Sequence, residues 1–197
     1  MTTKRVLALL GVLALFAAPA RAQEPSAEEA AMMQAWMAYM TPGDAHQSLA
    51  QHAGAWNHTV SWWMAPGAPA QESTATSTSE MILGGRYLAE HFSGNMMGMP
   101  FEGHGLTGYD NARKKYFSAW IDNMGTGIMI SEGTHDAAAR TWTYASESPD
   151  LMTGKYVPAR MVERDVDADT FVMEMYGPDP KSGKMFKSME INYTRAK

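Results

Sequence analysis

Most of the chain is a succession of short segments in which apolar and polar residues alternate, each followed by a turn sequence. Such alternation predicts β-strands with one buried face, and tight turns between them predict antiparallel neighbours. The clearest case is Leu83–Asp110, where two such runs flank a turn rich in Gly, Pro and Met. Besides the two strands of this hairpin, the predicted strands are Asn57–Met64, Gln71–Leu83, Lys115–Asn123, Gly127–Thr134, Thr141–Ser148, Tyr156–Asp165, Thr170–Tyr176 and Met185–Arg195.

A sheet of about ten strands tends to curl and close, because closure removes its unpaired edges. We therefore predict a mainly β protein, with a single antiparallel lipocalin-like β-barrel and one or two short N-terminal helices. Ser26 and Glu29 form a capping box for the first helix, which runs to Met40. Asp44 is the expected N-cap of the second helix, which is predicted to run to Ala53 with Gly54 as its C-terminal stop. A barrel of this size encloses a cavity for a small ligand.

The first residues indicate an export signal. Lys4 and Arg5 precede the apolar run Val6–Ala18, and Ala20-Arg21-Ala22 fits the small-x-small site of signal peptidase. The apolar run is shorter than the ~20 residues that a spanning helix needs. We therefore predict a cleaved signal peptide at residues 1–22, no membrane span after cleavage, and a periplasmic or secreted protein. Residues 23–43 are expected to form a helical segment and residues 44–197 the barrel domain.

Charge and cysteine content exclude several classes of function. Removing residues 1–22 takes away three basic residues and no acidic one, which shifts the formal net charge from -5 to -8. An acidic domain is a poor partner for nucleic acid, so none is predicted. The chain has no cysteine, which excludes disulfides, thiolate metal sites and a cysteine nucleophile.

The central hairpin allows its register to be predicted. If Met97-Gly98 is a two-residue turn, Phe92 faces Gly103 and Glu90 faces Gly105. The face with Leu88, Phe92 and Phe101 is the more apolar, so we expect it to point into the barrel; a turn one residue longer would exchange the faces. The predicted cavity residues are Glu90, Phe92, Phe101, Gly103, Gly105, Trp120 and Asp122.

An interior Glu90 would need a partner, because a buried unpaired carboxylate is unfavourable. Arg86, Arg160 or a cation on the ligand is the expected partner. If the protein is an enzyme, Glu90 with Trp120 and Asp122 is the candidate network. No nucleophile motif or phosphate-binding loop supports catalysis, so binding without catalysis is the preferred interpretation.

A metal site is a weaker alternative. His91 and His104 are expected to lie opposite each other, and Met96, Met97 and Met99 nearby are soft ligands of the kind that bind Cu(I). Methionine is frequent, with 18 residues in 197, but it commonly fills gaps in a core. Haem would need an axial histidine inside the barrel, which the sequence does not place. We therefore predict no metal and no cofactor.

The first helix carries a stripe of Met33, Trp36, Met37 and Met40. Such a stripe is expected to pack on the main body. Because Met-rich surfaces adapt to varied shapes, a partner-binding role for this helix is kept as an alternative.

Gly54-x-Trp56 before the first strand, with Arg195 at the end of the last, is similar to the motif of lipocalin-like (calycin) barrels. Further distinctive pieces are Pro42-Gly43-Asp44-Ala45-His46 with Leu49, Leu83-Gly84-Gly85-Arg86-Tyr87-Leu88, Gly98-x-Pro100-Phe101-Glu102-Gly103, Gly108-Tyr109-Asp110, Trp120-Ile121-Asp122 and Tyr193-Thr194-Arg195. With these pieces the chain resembles a bacterial family known as domain of unknown function 1579. The resemblance implies a lipocalin-like barrel and no particular activity.

In a closed antiparallel barrel the first and last strands are neighbours, so Trp56 and Arg195 are expected to meet at one end of the barrel and close it. The preferred function is binding of a small, largely apolar molecule in the cavity. The sequence determines neither the identity of that ligand nor the oligomeric state.

Overall fold

The structure, a computed structural model, describes residues 25–197. The predicted signal peptide at residues 1–22 and its cleavage site therefore lie outside the described residues. The elements in chain order are α1 (Ala27–Met40), α2 (Asp44–Ala50), β1 (Gly54–Trp62), β2 (Gln71–Ile82), β3 (Tyr87–Met96), β4 (Met99–Asp110), β5 (Lys115–Asp122), β6 (Met129–Asp136), β7 (Thr141–Asp150), β8 (Lys155–Asp165), β9 (Thr170–Pro178) and β10 (Met185–Arg195).

The ten strands form one closed antiparallel barrel. Each strand pairs with its neighbours in the sequence, and β1 pairs with β10 to close the sheet. The predicted fold is thus confirmed, and the strand bounds differ from the predicted ones by a few residues at either end. The largest shift is in β1, which starts at Gly54 and not at Asn57, because its pairing with β2 already begins at Gly54.

The β3–β4 hairpin has the predicted register. Phe92 pairs with Gly103, Glu90 with Gly105 and His91 with His104. Met97 and Gly98 form the turn, and both have positive φ angles, of 54° and 81°. That combination matches the right-handed twist of the flanking strands. The register places Glu90 and Phe92 on the inner face and His91 on the outer face.

Helix α1 begins with the predicted capping box. The Ser26 amide donates to the Glu29 carboxylate at 2.7 Å, and the Glu29 amide donates to the Ser26 hydroxyl at 3.2 Å. None of the residues of this helix is buried. The helix crosses the boundary between two compact units, which divide the chain after Trp36. Within residues 25–197 no helix combines the length and the apolar character needed to cross a membrane.

Helix α2 covers one end of the barrel, which we call the closed end. It packs against β3 and β4, and Leu49, only 2% exposed, joins a core cluster with Leu88 and Trp142. Its N-cap is Gly43, whose amide donates to His46 Nδ1 at 3.0 Å, so the predicted capping role of Asp44 is wrong. The helix ends at Ala50, before the predicted stop at Gly54.

The opposite end of the barrel, which we call the mouth, is formed by the loops of the β1–β2, β3–β4, β5–β6, β7–β8 and β9–β10 hairpins. These loops and the adjoining strand ends carry exposed apolar side chains. They are Met64, Met97, Met99, Met124, Ile128, Leu151, Met152 and Met185.

Candidate functional site

A cavity of about 390 Å³ runs inside the barrel from the closed end to the mouth. At the closed end its lining includes Leu49 and Phe171, and at the mouth it includes Met124 and Pro149. Most of the wall between them is apolar. The large apolar residues of this wall are Val60, Leu88, Phe92, Phe101, Trp120, Met161, Met173, Met175, Met189 and Ile191.

His52 lies on the lining at the closed end and is held in place by hydrogen bonding and stacking. Its Nε2 donates to Asp165 Oδ1 at 2.7 Å. Its ring stacks on Phe171 with the centroids 4.4 Å apart and lies 5.1 Å from the Trp142 ring. The sequence analysis did not single out this histidine, because it lies in the turn after α2 and its partner is far along the chain.

Two carboxylates, Glu90 from β3 and Glu163 from β8, line the same part of the cavity. Burial raises the pKa of Glu90, and the neighbouring Ser77 hydroxyl and His52 lower it in part. Burial also raises the pKa of Glu163 to about 7, against an opposing effect of His52 and with further upward contributions from Glu90 and Asp165. Within residues 25–197 neither carboxylate forms a salt bridge.

The arginines that the sequence suggested as partners of Glu90 lie elsewhere. Arg86 donates to the backbone oxygens of Leu83 and Met40, at 2.9 and 2.6 Å. The Arg160 guanidinium lies 4.3 Å from the centre of the Tyr176 ring. These two predictions are wrong because Arg86 belongs to the turn before β3, whereas the alternation of β8 places Arg160 on the outer face.

Glu163 was missed by the sequence analysis, although a signal for it was present. In the alternating strand Tyr156–Asp165, the residues Met161, Glu163 and Asp165 fall on one face. Trp142, which is buried, pairs with Glu163. An acidic residue on the apolar face of a predicted strand was therefore the indication to follow.

Trp120 shapes one wall of the cavity by covering two glycines. A Cβ atom on Gly103 would lie 2.2 Å from the ring, so no larger residue fits beneath it. Gly105 lies between the Trp120 ring and Glu90. The indole Nε1 donates to Asp122 Oδ2 at 2.9 Å, and Asp122 also accepts from the Met124 amide. Of the three residues in the candidate enzyme network, Trp120 and Asp122 are therefore hydrogen-bonded to each other. Within the described part of the chain, Glu90 forms no hydrogen bond with either of them.

The predicted cavity residues are placed as follows. Glu90, Phe92, Phe101, Gly105, Trp120 and Asp122 lie on the cavity lining, whereas Gly103 is covered by the indole and is not part of it. Whether these residues bind a ligand remains a prediction.

His58 is a second histidine inside the barrel that the sequence analysis did not single out. It is 3% exposed, and neither ring nitrogen has a hydrogen-bond partner in the described part of the chain. It stacks on Phe92 and meets Tyr193 edge-on, with centroids 4.8 and 4.2 Å apart. Burial lowers the pKa of His58 to about 4, so the ring is neutral at neutral pH. His58 is not on the cavity lining, which leaves His52 as the lining histidine for a haem.

On the outer face, His91, Glu102 and His104 form a cluster of possible metal ligands, with one ligand atom from each within 4.8 Å of the others. Glu102 Oε1 lies 3.1 Å from His91 Nε2 and 3.9 Å from His104 Nε2. All three side chains are exposed. The methionines do not join this cluster, because Met99 and His104 are five residues apart on an extended strand, a distance of about 17 Å.

The barrel closure has the predicted geometry. Trp56 pairs with Arg195 across β1 and β10, and the guanidinium lies 4.2 Å from the centre of the indole ring. Arg195 also donates to the carbonyl oxygens of Ala53 and Gln51, at 2.9 and 3.0 Å. The indole Nε1 of Trp56 donates to the carbonyl of His52 at 2.9 Å. One pair therefore joins the two terminal strands to the segment after α2.

Comparison with solved structures shows the same kind of barrel. The crystal structure titled for Rv2717c from M. tuberculosis aligns with 80% of this chain and 100% of that chain, at 14% sequence identity and a TM-score of 0.56. A redesigned β-barrel aligns with 78% of this chain and 96% of that chain, at 14% identity and a TM-score of 0.37, and carries no weight here. At these identities the first likeness shows the fold alone. No curated protein matches the sequence.

The family comparison covers nearly the whole described barrel. The model of the family "Protein of unknown function (DUF1579)" matches residues 41–195. This span starts before α2 and ends at Arg195, so it contains every residue of the cavity lining and the closing pair. The chain belongs to this family of unknown function.

Proposed function

We propose that this protein binds a small, largely apolar molecule in its barrel cavity, in the periplasm or outside the cell. The observation that carries the proposal is the cavity itself. Its volume of about 390 Å³ falls in the range of roughly 300–1,000 Å³ that small-molecule sites occupy. Its wall is mostly apolar with a few polar groups, which is the composition of such sites.

The test uses N-phenyl-1-naphthylamine, a neutral apolar dye whose fluorescence rises in an apolar site. We expect saturable binding of one dye per chain. Ser118→Phe adds a ring to the cavity lining and should weaken binding at least about tenfold. Ile121→Phe, on the outer face of the same strand, is the matched control and should bind normally. Equal affinity of the dye for both variants, or no saturable binding to the parent, would contradict the proposal.

Native mass spectrometry of protein purified from its own host complements the dye experiment. A retained lipid-like molecule would support the proposal and give the identity of the ligand. A retained haem or metal would support the cofactor alternative, and an empty protein would favour the interaction role of α1.

Export is the second part of the proposal, and it rests on the sequence of residues 1–22. N-terminal sequencing of the exported protein should find Gln23 or a residue within a few positions of it. Recovery of the full-length chain in the membrane fraction would contradict export with cleavage.

An enzyme is the second candidate function, and Glu163 is the observation that favours it. A carboxyl group with a pKa near neutrality in a cavity is suited to general acid or base catalysis. If the ligand recovered from the host is converted by the parent protein and not by Glu163→Gln, the enzyme reading is correct. If both proteins leave it unchanged, binding without catalysis stands.

A further inference from the structure

The charged side chains on the cavity lining are mainly acidic. Within residues 25–197, four carboxylates line it, and no lysine or arginine does. His52 is the one histidine among the lining residues, and it already bonds to Asp165. The lining carboxylates are Glu90, Asp122, Glu147 and Glu163. An anionic ligand such as a fatty acid would add a further negative charge to this low-dielectric space, which is unfavourable.

The four carboxylates divide into two levels. Asp122 belongs to the mouth, where it accepts hydrogen bonds from Trp120 and the Met124 amide, and Glu147 lies near the end of β7 on the same side. Glu90 and Glu163 lie deeper, close enough to each other that the Glu90 carboxylate raises the pKa of Glu163. The deeper pair is therefore the buried part of an acidic lining that has no lysine or arginine among the described residues.

Among the described residues around this deeper pair, His52 alone opposes its negative charge, and His52 already bonds to Asp165. The groups that face Glu163 are Glu90 from β3, Asp165 from β8, Tyr144 from β7, Tyr193 from β10 and His52. The Tyr144 hydroxyl is itself buried and has no hydrogen-bond partner among the described residues. Tyr144 is not on the cavity lining, so the site itself consists of the two carboxyl groups, which suit a hydrogen-bond donor with positive charge.

The apolar wall lies between this region and the mouth. Along β3, Phe92 is closer to the mouth than Glu90, and along β8, Met161 is closer to the mouth than Glu163. A ligand entering from the mouth would therefore place one end at the carboxyl pair and the rest of its length against these apolar side chains.

We propose that the cavity binds a cationic amphiphile, with a protonated amine directed to Glu90 and Glu163 and an apolar chain extending to the mouth. This inference rests on the proposed function and specifies the chemical class of its ligand. An ammonium group supplies three donors and the missing charge, and the apolar chain contacts the Met and Phe side chains of the wall.

The test compares three ligands that differ only at one end: decylamine, decanol and decanoate. Binding to the mature full-length protein is measured for each by isothermal titration calorimetry at about pH 8, above the pKa of Glu163 of about 7. We expect decylamine to bind at least about tenfold more tightly than decanol, and decanoate to bind more weakly than decanol.

Substitutions at Glu90 and Glu163 then test whether these two carboxylates cause the preference for decylamine over decanol. Glu163→Gln and Glu90→Gln should each reduce the affinity for decylamine about tenfold and leave that for decanol nearly unchanged. Glu147→Gln, at the mouth, is the matched control and should change both little. Thermal unfolding of each variant checks that it is folded. Because an alkylamine stays protonated in this range, its affinity for the parent should also rise between about pH 6 and pH 8, as Glu163 ionises.

The outcomes separate this inference from the proposed function. If decanol and decanoate bind as tightly as decylamine, the cavity takes apolar chains without regard to charge, and only this inference is overturned. A preference for decylamine that survives in Glu163→Gln and Glu90→Gln also overturns it. If none of the three ligands binds, the proposed function is contradicted as well.

Discussion

The two ends of the barrel are built in opposite ways. At the closed end, Trp56 is 2% exposed, and its partner Arg195 donates to backbone carbonyls of the segment after α2. At the mouth, the loop residues Met97 and Leu151 are 66% and 88% exposed. The closed end has a dense set of side-chain-to-backbone hydrogen bonds around an aromatic core, whereas the mouth presents apolar side chains on turns.

The closed end therefore stabilises the fold, whereas the side chains at the mouth can change conformation. Residues that are buried and hydrogen-bonded contribute to global stability, whereas loop residues with few buried contacts open at low free-energy cost. Methionine and leucine on such loops can change rotamer without disturbing the barrel. We therefore expect substitutions at the closed end to lower stability and substitutions at the mouth to affect access to the cavity.

The largest effect is expected from Trp56→Ala. Removing this buried indole leaves a space beside Phe171 and Tyr193, and truncation of a buried aromatic residue typically costs ~3–5 kcal/mol of unfolding free energy. Arg195→Ala should cost less, because the guanidinium is partly exposed and its stacking contributes about 0.5–2 kcal/mol. Urea unfolding measures both. Arg195→Lys should not restore full stability, because an ammonium cannot stack as a plane.

A double-mutant cycle of Trp56→Ala and Arg195→Ala measures how strongly the two side chains interact. We expect a measurable interaction term, since the two groups are in contact. Simple additivity would mean that the closing pair does not act as a unit, and the contrast between the two ends would lose its main support.

An intermediate effect, of opposite sign, is expected from Glu163→Gln. In the folded protein the pKa of Glu163 is raised above its unfolded value. The native state therefore holds its proton more tightly, and stability is lost as the pH rises through about 7. The neutral amide avoids this loss and should raise the unfolding free energy at about pH 8 by about 1–3 kcal/mol.

The control for this prediction is the same comparison at about pH 5, where the folded parent is mostly protonated at Glu163 and the two proteins should differ much less. Glu147→Gln should show no comparable pH-dependent gain. Equal stability of the parent and Glu163→Gln at both pH values would show that the carboxyl group is well solvated, and the deeper part of the cavity would then resemble the mouth.

The smallest effect is expected from replacing Met96, Met97 and Met99 together by Ala. Met97 and Met99 are exposed, and Met96 is only partly buried at the mouth of the cavity; substitutions at exposed positions usually change stability by less than about 0.5 kcal/mol each. Because these methionines do not reach the pair His91 and His104, we also predict no tight Cu(I) binding by the parent in a competition assay. Stoichiometric Cu(I) binding that is lost in the triple variant, or a loss of stability comparable to that of Trp56→Ala, would contradict this view of the mouth.

Much of the fold was predictable because local signals and global topology agree. Alternation and turn residues gave the strands, and the Met97-Gly98 turn gave the hairpin register that places Glu90 and Phe92 inside. The pairing of Trp56 with Arg195 followed from closure of the sheet. Each of these inferences depends on residues close in sequence or on the one pairing that a closed meander requires.

The rest of the site depends on contacts across the barrel, which alternation does not specify. The hydrogen bond between His52 and Asp165 joins a turn to a strand 113 residues later. The enclosure of His58 by Phe92 and Tyr193 depends on three strands at once. Arg86 and Arg160 were the expected partners of Glu90. Arg86 is held in the turn before β3, and Arg160 lies on the outer face of β8, so neither pairs with Glu90. Residue type alone therefore suggested the wrong partners.

The pairing of β1 with β10 also governs how the chain can reach this structure. Arg195 bonds to the carbonyl of Ala53, 142 residues earlier in the chain. Contacts of such sequence separation form slowly, because a long loop must be ordered before they contribute. Until the last strand is in place, β1 and β9 each present an unpaired edge, to which other chains can add. Completion of the polypeptide is thus a condition for a monomeric barrel, and loss of the final strand turns a closed sheet into one that invites aggregation.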